Sequence, residues 1–257
     1  MFDTHCHFDA YDDPVSALAE VSDAAGRANW VTTVPSQVPV FGNILAAQPR
    51  AVQAAVTVTP GLHPQAVGRL EKARGDAEQL GRIIAATPPG GWVGEVGLDG
   101  GPLHRASLSV QRETANIWMR ALAEHEGGLS VTLHGRHAWE ELLAWLRDHT
   151  QILDRHRFCV HWFTGTRELL RGLADLGCWF SVNPQMCRSS SQRKLLPHLP
   201  PGRVLLETDG PYATLPVTRG GGHWVQRRPC RHGDLEHVIH HLKSLRLWTQ
   251  EATSYRV

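Results

Sequence analysis

Three observations in the sequence predict an α/β protein, specifically a (β/α)8 barrel of the TIM type. The chain has 257 residues, of which 42% are hydrophobic, a composition that excludes a disordered chain and suits one large packed domain. Short apolar runs alternate with amphipathic stretches from end to end, which favours a parallel sheet. Eight such pairs within about 250 residues favour a closed barrel over an open doubly wound sheet. We therefore expect one domain over residues 1–257.

The expected strands are short, apolar runs bounded by turn residues. They cover residues 2–6, 30–34, 54–62, 92–96, 129–133, 157–162, 178–182 and 204–207. The run Trp30-Val31-Thr32-Thr33-Val34 illustrates the type, because aromatic and β-branched residues dominate it.

The expected helices repeat their apolar positions with a period close to that of an α-helix. They cover residues 14–25, 38–47, 71–86, 110–126, 138–149, 167–176, 189–198 and 234–246. Asp13-Pro14 marks the start of the first helix, because proline suits the first helical position. Residues 210–233 are rich in glycine, proline and arginine, so we expect a long loop after the last strand.

Composition also limits the location of the protein. No apolar run approaches the roughly eighteen residues that a membrane helix needs, so we expect no contact with a membrane. Met1 and Phe2 lead directly into polar residues, unlike a secretory signal, and we expect a cytoplasmic protein. The five cysteines are scattered and form no C-x-x-C pair, which argues against a disulfide framework or a thiolate zinc site.

The formal net charge of +1 conceals an asymmetry between the two halves of the chain. Residues 1–128 carry a net charge of −5, and residues 129–257 carry +6. Most of the positive excess lies between residues 186 and 231, which include Arg188 and Arg219. A polyanionic ligand or an ordinary solvated surface would each explain this basic segment.

Chemistry-bearing residues recur where the predicted strands end, the place where such barrels build their active sites. His5 and His7 share one face of the first strand, because side chains alternate along a strand. Histidine and carboxylate donors without thiolate suit Zn²⁺ or Mn²⁺, and Mg²⁺ where carboxylates and waters dominate. The predicted ligands come from five different strands, and they are His5, His7, Glu95, His134, His161 and Asp209.

Six candidate ligands exceed what one catalytic ion needs, so the sequence predicts two ions. Glu95 lies on a central strand and has two oxygens, so it is the expected bridge. His5, His7 and Asp209 would complete one site, and His134 and His161 the other. Two ions can activate a water and stabilise both oxygens of an in-line displacement. Asp209 can also accept the proton of that water.

The motifs as a set resemble the TatD-type metal-dependent deoxyribonucleases. They are Asp-Thr-His-Cys-His-Phe-Asp at 3–9, Gly-Leu-His-Pro at 61–64, Gly-Glu-Val-Gly-Leu-Asp at 94–99, Leu-His-Gly-Arg at 133–136, His-Trp-Phe-Thr-Gly at 161–165 and Glu-Thr-Asp-Gly-Pro at 207–211. The resemblance implies a barrel of the amidohydrolase superfamily, hydrolysis of DNA phosphodiesters with divalent metal, and the same six ligands. It also implies that His63 and Arg136 lie beside the substrate phosphate, which makes His63 a catalytic candidate with Glu95 and Asp209.

A narrower resemblance concerns the tracts at 97–100, 161–163, 178–184 and 208–211. They are similar to QatD, the TatD-type nuclease of the Qat anti-phage system. This resemblance implies a role in bacterial defence beside other proteins of that system. The sequence departs from the broader family after Pro229, because the usual closing helix and its Asn-x-x-Arg-Leu-Phe ending are missing. We therefore expect a shortened C-terminal end.

Five residues are further candidates, and three of them have an open alternative. Arg136 shares a face with His134 and would contact the phosphate, or it is a surface arginine. Arg188 and Arg219 would contact the DNA backbone, most simply of single strands or ends. Glu207 would orient a ligand histidine, or it pairs elsewhere. Asn183 would support the site, or it bonds backbone groups at a strand end.

Two other functions remain open at this stage. The first is an amidohydrolase that acts on a small amide or lactone, although none of the three lysines ends a strand and could supply a carboxylated bridge. The second is a catalytically idle barrel subunit of a defence complex. The complete set of ligands favours the nuclease.

Overall fold

The computed structural model describes residues 1–218 and 225–248. Eight parallel strands follow one another around a barrel, and the predicted α/β barrel fold is confirmed. They are β1 (Phe2–Cys6), β2 (Arg27–Val31), β3 (Val56–Thr59), β4 (Trp92–Gly97), β5 (Ser130–His134), β6 (Arg157–Val160), β7 (Trp179–Val182) and β8 (Val204–Leu206). Strands β1 to β3 pair as one sheet and β4 to β8 as a second.

Hydrogen bonds beside the strand ends close the two sheets into a ring. Between β8 and β1, the Asp209 amide donates to the His5 carbonyl at 2.9 Å, and the Thr4 hydroxyl donates to the Leu206 carbonyl at 2.8 Å. Between β3 and β4, the Gly94 amide donates to the Pro60 carbonyl at 2.7 Å. The ring therefore brings the ends of β1, β4 and β8 to one opening.

The helices surround the strands, and buried apolar residues between the two layers form the main core. They are α1 (Pro14–Asp23), α2 (Gln37–Ala46), α3 (Arg50–Ala55), α4 (Leu70–Ala86), α5 (Leu108–Glu124), α6 (Trp139–Arg147), α7 (Thr150–Leu153), α8 (Arg167–Asp175), α9 (Pro184–Arg188) and α10 (Leu235–Ser244). The Asp13 side chain caps α1 by accepting a hydrogen bond from the Ser16 amide at 3.0 Å, as its position before Pro14 predicts.

The predicted loop over residues 210–233 is wrong in part. Strand β9 (Thr214–Thr218) pairs with β10 (Val225–Pro229) in an antiparallel hairpin whose tip lies outside the described residues. The strands were not predicted because they contain Pro216 and Pro229. Proline supplies no amide hydrogen and usually argues against a strand. Proline is tolerated at a sheet edge, and a two-stranded hairpin consists only of edges.

The predicted helix over residues 189–198 is also wrong. Helix α9 ends at Arg188, and two 3-10 turns follow at Gln192–Lys194 and Leu196–His198. Three consecutive serines begin this segment and Pro197 interrupts it, and both residue types disfavour a helix interior. The strand predicted over 54–62 covers only Val56–Thr59, because α3 extends to Ala55.

All five cysteines are free and buried. Burial raises the pKa of each thiol, so none of them resembles a reactive or metal-binding thiolate. Among the described helices, none combines the length and the hydrophobicity that a membrane crossing requires.

Candidate metal centre

The six predicted ligands converge around the Glu95 carboxylate at the C-terminal end of the barrel. Oε2 of Glu95 lies 3.3 Å from Nε2 of His5 and 3.6 Å from Nε2 of His7. Oε1 lies 2.6 Å from Nδ1 of His134 and 3.3 Å from Nε2 of His161. Both oxygens of one carboxylate therefore face pairs of imidazoles, the arrangement expected of a bridge.

Asp209 completes the cluster from the other side. Its Oδ1 lies 3.6 Å from Nε2 of His7 and 3.8 Å from Nε2 of His5. The backbone of Asp209 has a φ of +45°, an uncommon value for a residue with a side chain. Two backbone hydrogen bonds hold this conformation. The Asp209 amide donates to the His5 carbonyl, and the Asp209 carbonyl accepts from the Ala213 amide at 2.8 Å. Such conformations cluster at functional sites.

The donor set fits divalent cations. Nε2 of His5 and Nε2 of His7 lie 3.3 Å apart in a buried space, and the buried Nδ1 of His7 has no hydrogen-bond partner among the described residues. Three groups have ligand atoms close enough to share an ion: His5 with His161 and Asp209, His5 with His7 and Glu95, and His63 with Glu95 and His134. Two groups share Glu95 and two share His5, which fits neighbouring ions better than separate ones.

Two glycines give Glu95 its central position. A β-carbon at Gly61, just after β3, would lie 2.4 Å from the Glu95 amide nitrogen. A β-carbon at Gly97 would lie 2.0 Å from the His134 carbonyl oxygen, and Gly97 has a φ of +142°. Only glycine allows the neighbouring backbones to approach β4 this closely.

Glu207 lies under His161 and contacts four donors. Its Oε2 accepts from Nδ1 of His161 at 3.0 Å and from the Ser181 hydroxyl. Its Oε1 accepts from the Trp162 amide at 3.0 Å and from Nδ2 of Asn183 at 3.2 Å. The contact with Nδ1 leaves Nε2 of His161 facing Glu95, which is the orienting geometry expected of Glu207.

Asn183 satisfies both of its sequence-based alternatives. Its Nδ2 supports Glu207, and its Oδ1 caps α9 by accepting from the Met186 amide at 3.0 Å.

Sequence reasoning missed the role of Asp99. The buried Oδ2 of Asp99 lies 3.1 Å from Nε2 of His134 and accepts from Nε2 of Gln65 at 2.6 Å. Burial by itself raises the pKa of Asp99, but hydrogen bonds from His134, Gln65 and the Gly101 amide lower it below its ordinary value. The carboxylate therefore fixes the His134 ring with Nδ1 toward Glu95. Its place in the motif that contains Glu95 was the available signal.

His63 differs from the ligand histidines in its hydrogen bonding. Its Nδ1 accepts a hydrogen bond from the Gln65 amide at 3.0 Å, and its Nε2 lies 3.3 Å from Oε2 of Glu95. A nitrogen that accepts carries no proton, so a neutral His63 ring carries its proton on Nε2. This ring therefore offers the centre a donor hydrogen rather than a lone pair.

Burial and mutual charge set the protonation of the cluster. Burial and the neighbouring His161 lower the pKa of His5 to about 3, so His5 is neutral. Burial alone would lower the pKa of His161, but Glu207, Glu95 and Asp209 raise it to about 10. Burial raises the pKa of Asp209 to about 7. The pKa of Glu95 stays well below its ordinary value, because four histidines outweigh the effect of burial. Glu95 is therefore anionic, as a metal bridge must be.

A cavity of about 1490 Å³ opens above the cluster. Arg136 lines it together with Arg105, in the place expected for a phosphate contact. Arg188 is not among the lining residues and is exposed at the end of α9. Arg219 lies outside the described residues.

Tyr212 also lines the cavity and was not predicted. Its ring is 58% exposed and stands edge-on to His7, with centroids 5.0 Å apart and an interplanar angle of 76°. The exposed ring can therefore stack against a planar group that enters the cavity. Trp162 lines the same cavity.

Comparisons with known proteins agree with the fold and give the family. The family described as TatD related DNase matches residues 2–255. The chain is 37% identical to the 3'-5' ssDNA/RNA exonuclease TatD of Edwardsiella piscicida over 158 residues, which are 60% of this chain and 57% of that protein. It is 29% identical to the protein of that name from Klebsiella pneumoniae over 201 residues, 77% of this chain and 71% of the relative.

Solved structures show the same architecture. A TatD homolog from Escherichia coli K12 superposes with a TM-score of 0.74 at 25% identity, over 98% of this chain and 93% of the other. A phosphotriesterase homology protein from Escherichia coli, solved with phosphate in its active site, superposes with a TM-score of 0.61 at 15% identity, over 98% and 93%. At that identity, the second comparison shows the fold alone.

Proposed function

Because the chain belongs to the TatD-related DNase family, we propose that it hydrolyses DNA phosphodiester bonds with the help of two divalent cations. The observation that carries the proposal is the convergence of buried nitrogen and oxygen donors on Glu95 beneath a large cavity. Mn²⁺, Mg²⁺ or Zn²⁺ suits these donors. Bound there, the cations would lower the pKa of a water and stabilise the charge that develops on the phosphate.

The side chains of the metal centre have separate proposed roles. Two cations would be held by His5, His7 and Asp209 on one side and by His134 and His161 on the other, with Glu95 as the ligand that both could share. Asp209 would also accept the proton of the attacking water. Glu207, supported by Asn183, keeps the His161 ring in the orientation that a ligand needs.

Two side chains position the substrate. The Nε2 hydrogen of His63 points into the centre, so it can donate to a phosphate oxygen. Arg136 on the cavity wall can hold the same phosphate through its planar guanidinium group. Arg188 and Arg219 would contact the DNA backbone outside the cavity.

Single-stranded DNA or DNA ends are the proposed substrate, because Glu95, His161 and Asp209 line the cavity and a strand end that enters it would reach them. The relatives named as 3'-5' exonucleases support degradation from the 3' end. The tracts similar to QatD support a further proposal, that the enzyme is the nuclease of a bacterial anti-phage system, acts in the cytoplasm and has other proteins of that system as partners.

The test is degradation of an end-labelled oligodeoxynucleotide with added Mn²⁺ or Mg²⁺. We expect the wild type to shorten it, and Glu95→Ala and Asp209→Ala to lose activity while melting cooperatively. Glu78→Ala, on the exposed face of α4, is the matched control and should keep full activity. Wild-type rates in both site variants would overturn the proposal. Turnover of small amides or lactones without turnover of DNA would favour the amidohydrolase alternative.

A further inference from the structure

The outer surface beside α9 and α10 carries a concentration of positive charge that the metal centre does not use. We name this surface the basic track, and its exposed members are Arg188, Arg193, Lys194, His237, His240, Lys243 and Arg246. Glu236 is the one acidic residue within residues 184–198 and 235–248. The salt bridges of lysine and arginine among the described residues all lie elsewhere. The arginines and lysines of the basic track therefore form no salt bridge within the described part of the chain.

Three segments bring these groups to one surface. Helix α9 packs against both α10 and the 3-10 turn at Gln192–Lys194. Burial and then the positive charge of Arg188 lower the pKa of His237. Burial, His237 and then Arg193 lower the pKa of His241. The side chains of the three segments thus lie close enough to influence one another.

The basic track begins at the rim of the cavity. Gln192 lines the cavity, and its Oε1 accepts a hydrogen bond from Nε1 of Trp162 at 3.4 Å. The next residue, Arg193, is already exposed outside the rim. A strand whose end reaches the metal centre could pass Arg193 where it leaves the cavity, and α9 and α10 pack beside this turn.

We propose that the basic track binds the phosphate backbone of a single nucleic-acid strand outside the cavity. The proposal rests on the proposed function and extends it, because it assigns a second contact region to the substrate. Unpaired cations attract phosphates irrespective of base sequence, since each contact releases counterions from the strand. The basic track would therefore hold long strands during repeated cleavage without imposing sequence preference.

The decisive experiment compares two substrates that share the same 3' end, a dinucleotide and an oligodeoxynucleotide of about 20 nucleotides, which is longer than the roughly 4–16 nucleotides of a typical single-strand site. The test variant is Arg188→Gln/Arg193→Gln. The control is Arg82→Gln/Arg120→Gln, whose side chains are exposed on α4 and α5. We expect the test variant to raise KM for the long substrate roughly tenfold and to leave the dinucleotide unchanged. The plot of log binding constant against log salt concentration should become less steep by about 1.4, because the variant loses two contacts with a single strand.

A binding measurement without metal separates this proposal from the proposed function. It uses fluorescence anisotropy of the long oligonucleotide in the presence of EDTA. If the wild type cleaves no DNA but the test variant binds the strand more weakly than the control, the proposed function fails and the basic track stands. Equal KM changes for both substrates, or binding equal to the control, would overturn the basic track. The proposal would also be overturned if the test variant lost binding to phosphatidylserine vesicles but bound DNA as the wild type does.

Discussion

Replacing Glu207 with glutamine tests how the protein prepares a ligand histidine. Glutamine keeps the shape of glutamate but turns one acceptor oxygen into a donor NH₂ group. If the NH₂ takes the place of Oε1, it faces the Trp162 amide and the Asn183 side chain, which are both donors. If it takes the place of Oε2, it faces Nδ1 of His161. His161 must then carry its proton on Nε2, the atom that should bind the cation.

Each orientation has a defined cost. Opposed donors in a buried site would lower the free energy of unfolding by about 1–3 kcal/mol. The tautomer change removes a lone pair from the centre, and loss of such an outer partner weakens metal binding by roughly 10–100-fold. We expect the second outcome, because the ring can move its proton whereas the Trp162 amide is fixed in the backbone.

Calorimetric titration with Mn²⁺ and thermal melting distinguish the two costs. Glu207→Gln should melt near the wild-type temperature and bind Mn²⁺ at least tenfold more weakly. Glu78→Gln, at an exposed carboxylate on α4, should match the wild type in both measurements. Wild-type Mn²⁺ affinity in a folded Glu207→Gln protein would contradict the tautomer argument.

Three further predictions follow from the site and the core. Asp99→Ala should weaken Mn²⁺ binding roughly tenfold, because the His134 ring loses the partner that orients it, and the calorimetric titration above checks this. Tyr212→Ala should raise KM for an oligonucleotide roughly tenfold through lost stacking, while Tyr212→Phe stays close to the wild type; an abasic 3' end should abolish the difference. His232 is buried without a hydrogen-bond partner among the described residues, and burial lowers its pKa to about 4. The unfolded chain therefore binds more protons between about pH 6.5 and 4, so the free energy of unfolding decreases as the pH is lowered through that window, by up to about 1.4 kcal/mol per pH unit. Melting temperatures measured across this pH window should decrease less steeply for His232→Leu than for the wild type. An equal decrease in both proteins would disprove the prediction.

The sequence was most informative where a rule of the fold applies to every strand. The carboxyl ends of parallel barrel strands share one opening, so His5, Glu95 and Asp209 could be placed together without coordinates. Residues whose role depends on how a loop folds back were not accessible in this way. Asp99 contacts His134 because the segment after β4 turns toward the end of β5, and Tyr212 enters the cavity because of the turn after Asp209. Arg188 lies outside the cavity at the end of α9, and its contact with the DNA backbone stays a prediction.

The buried cysteines can report local opening of the barrel. Their thiols are distributed over β1, β6, the residue before β7, α9 and the segment after β10. An alkylating reagent can modify each thiol only when its surroundings open, so the modification rates would rank the local stability of five places in the barrel. Mass spectrometry of timed alkylation could then follow how metal loading tightens the barrel, with no engineered probe.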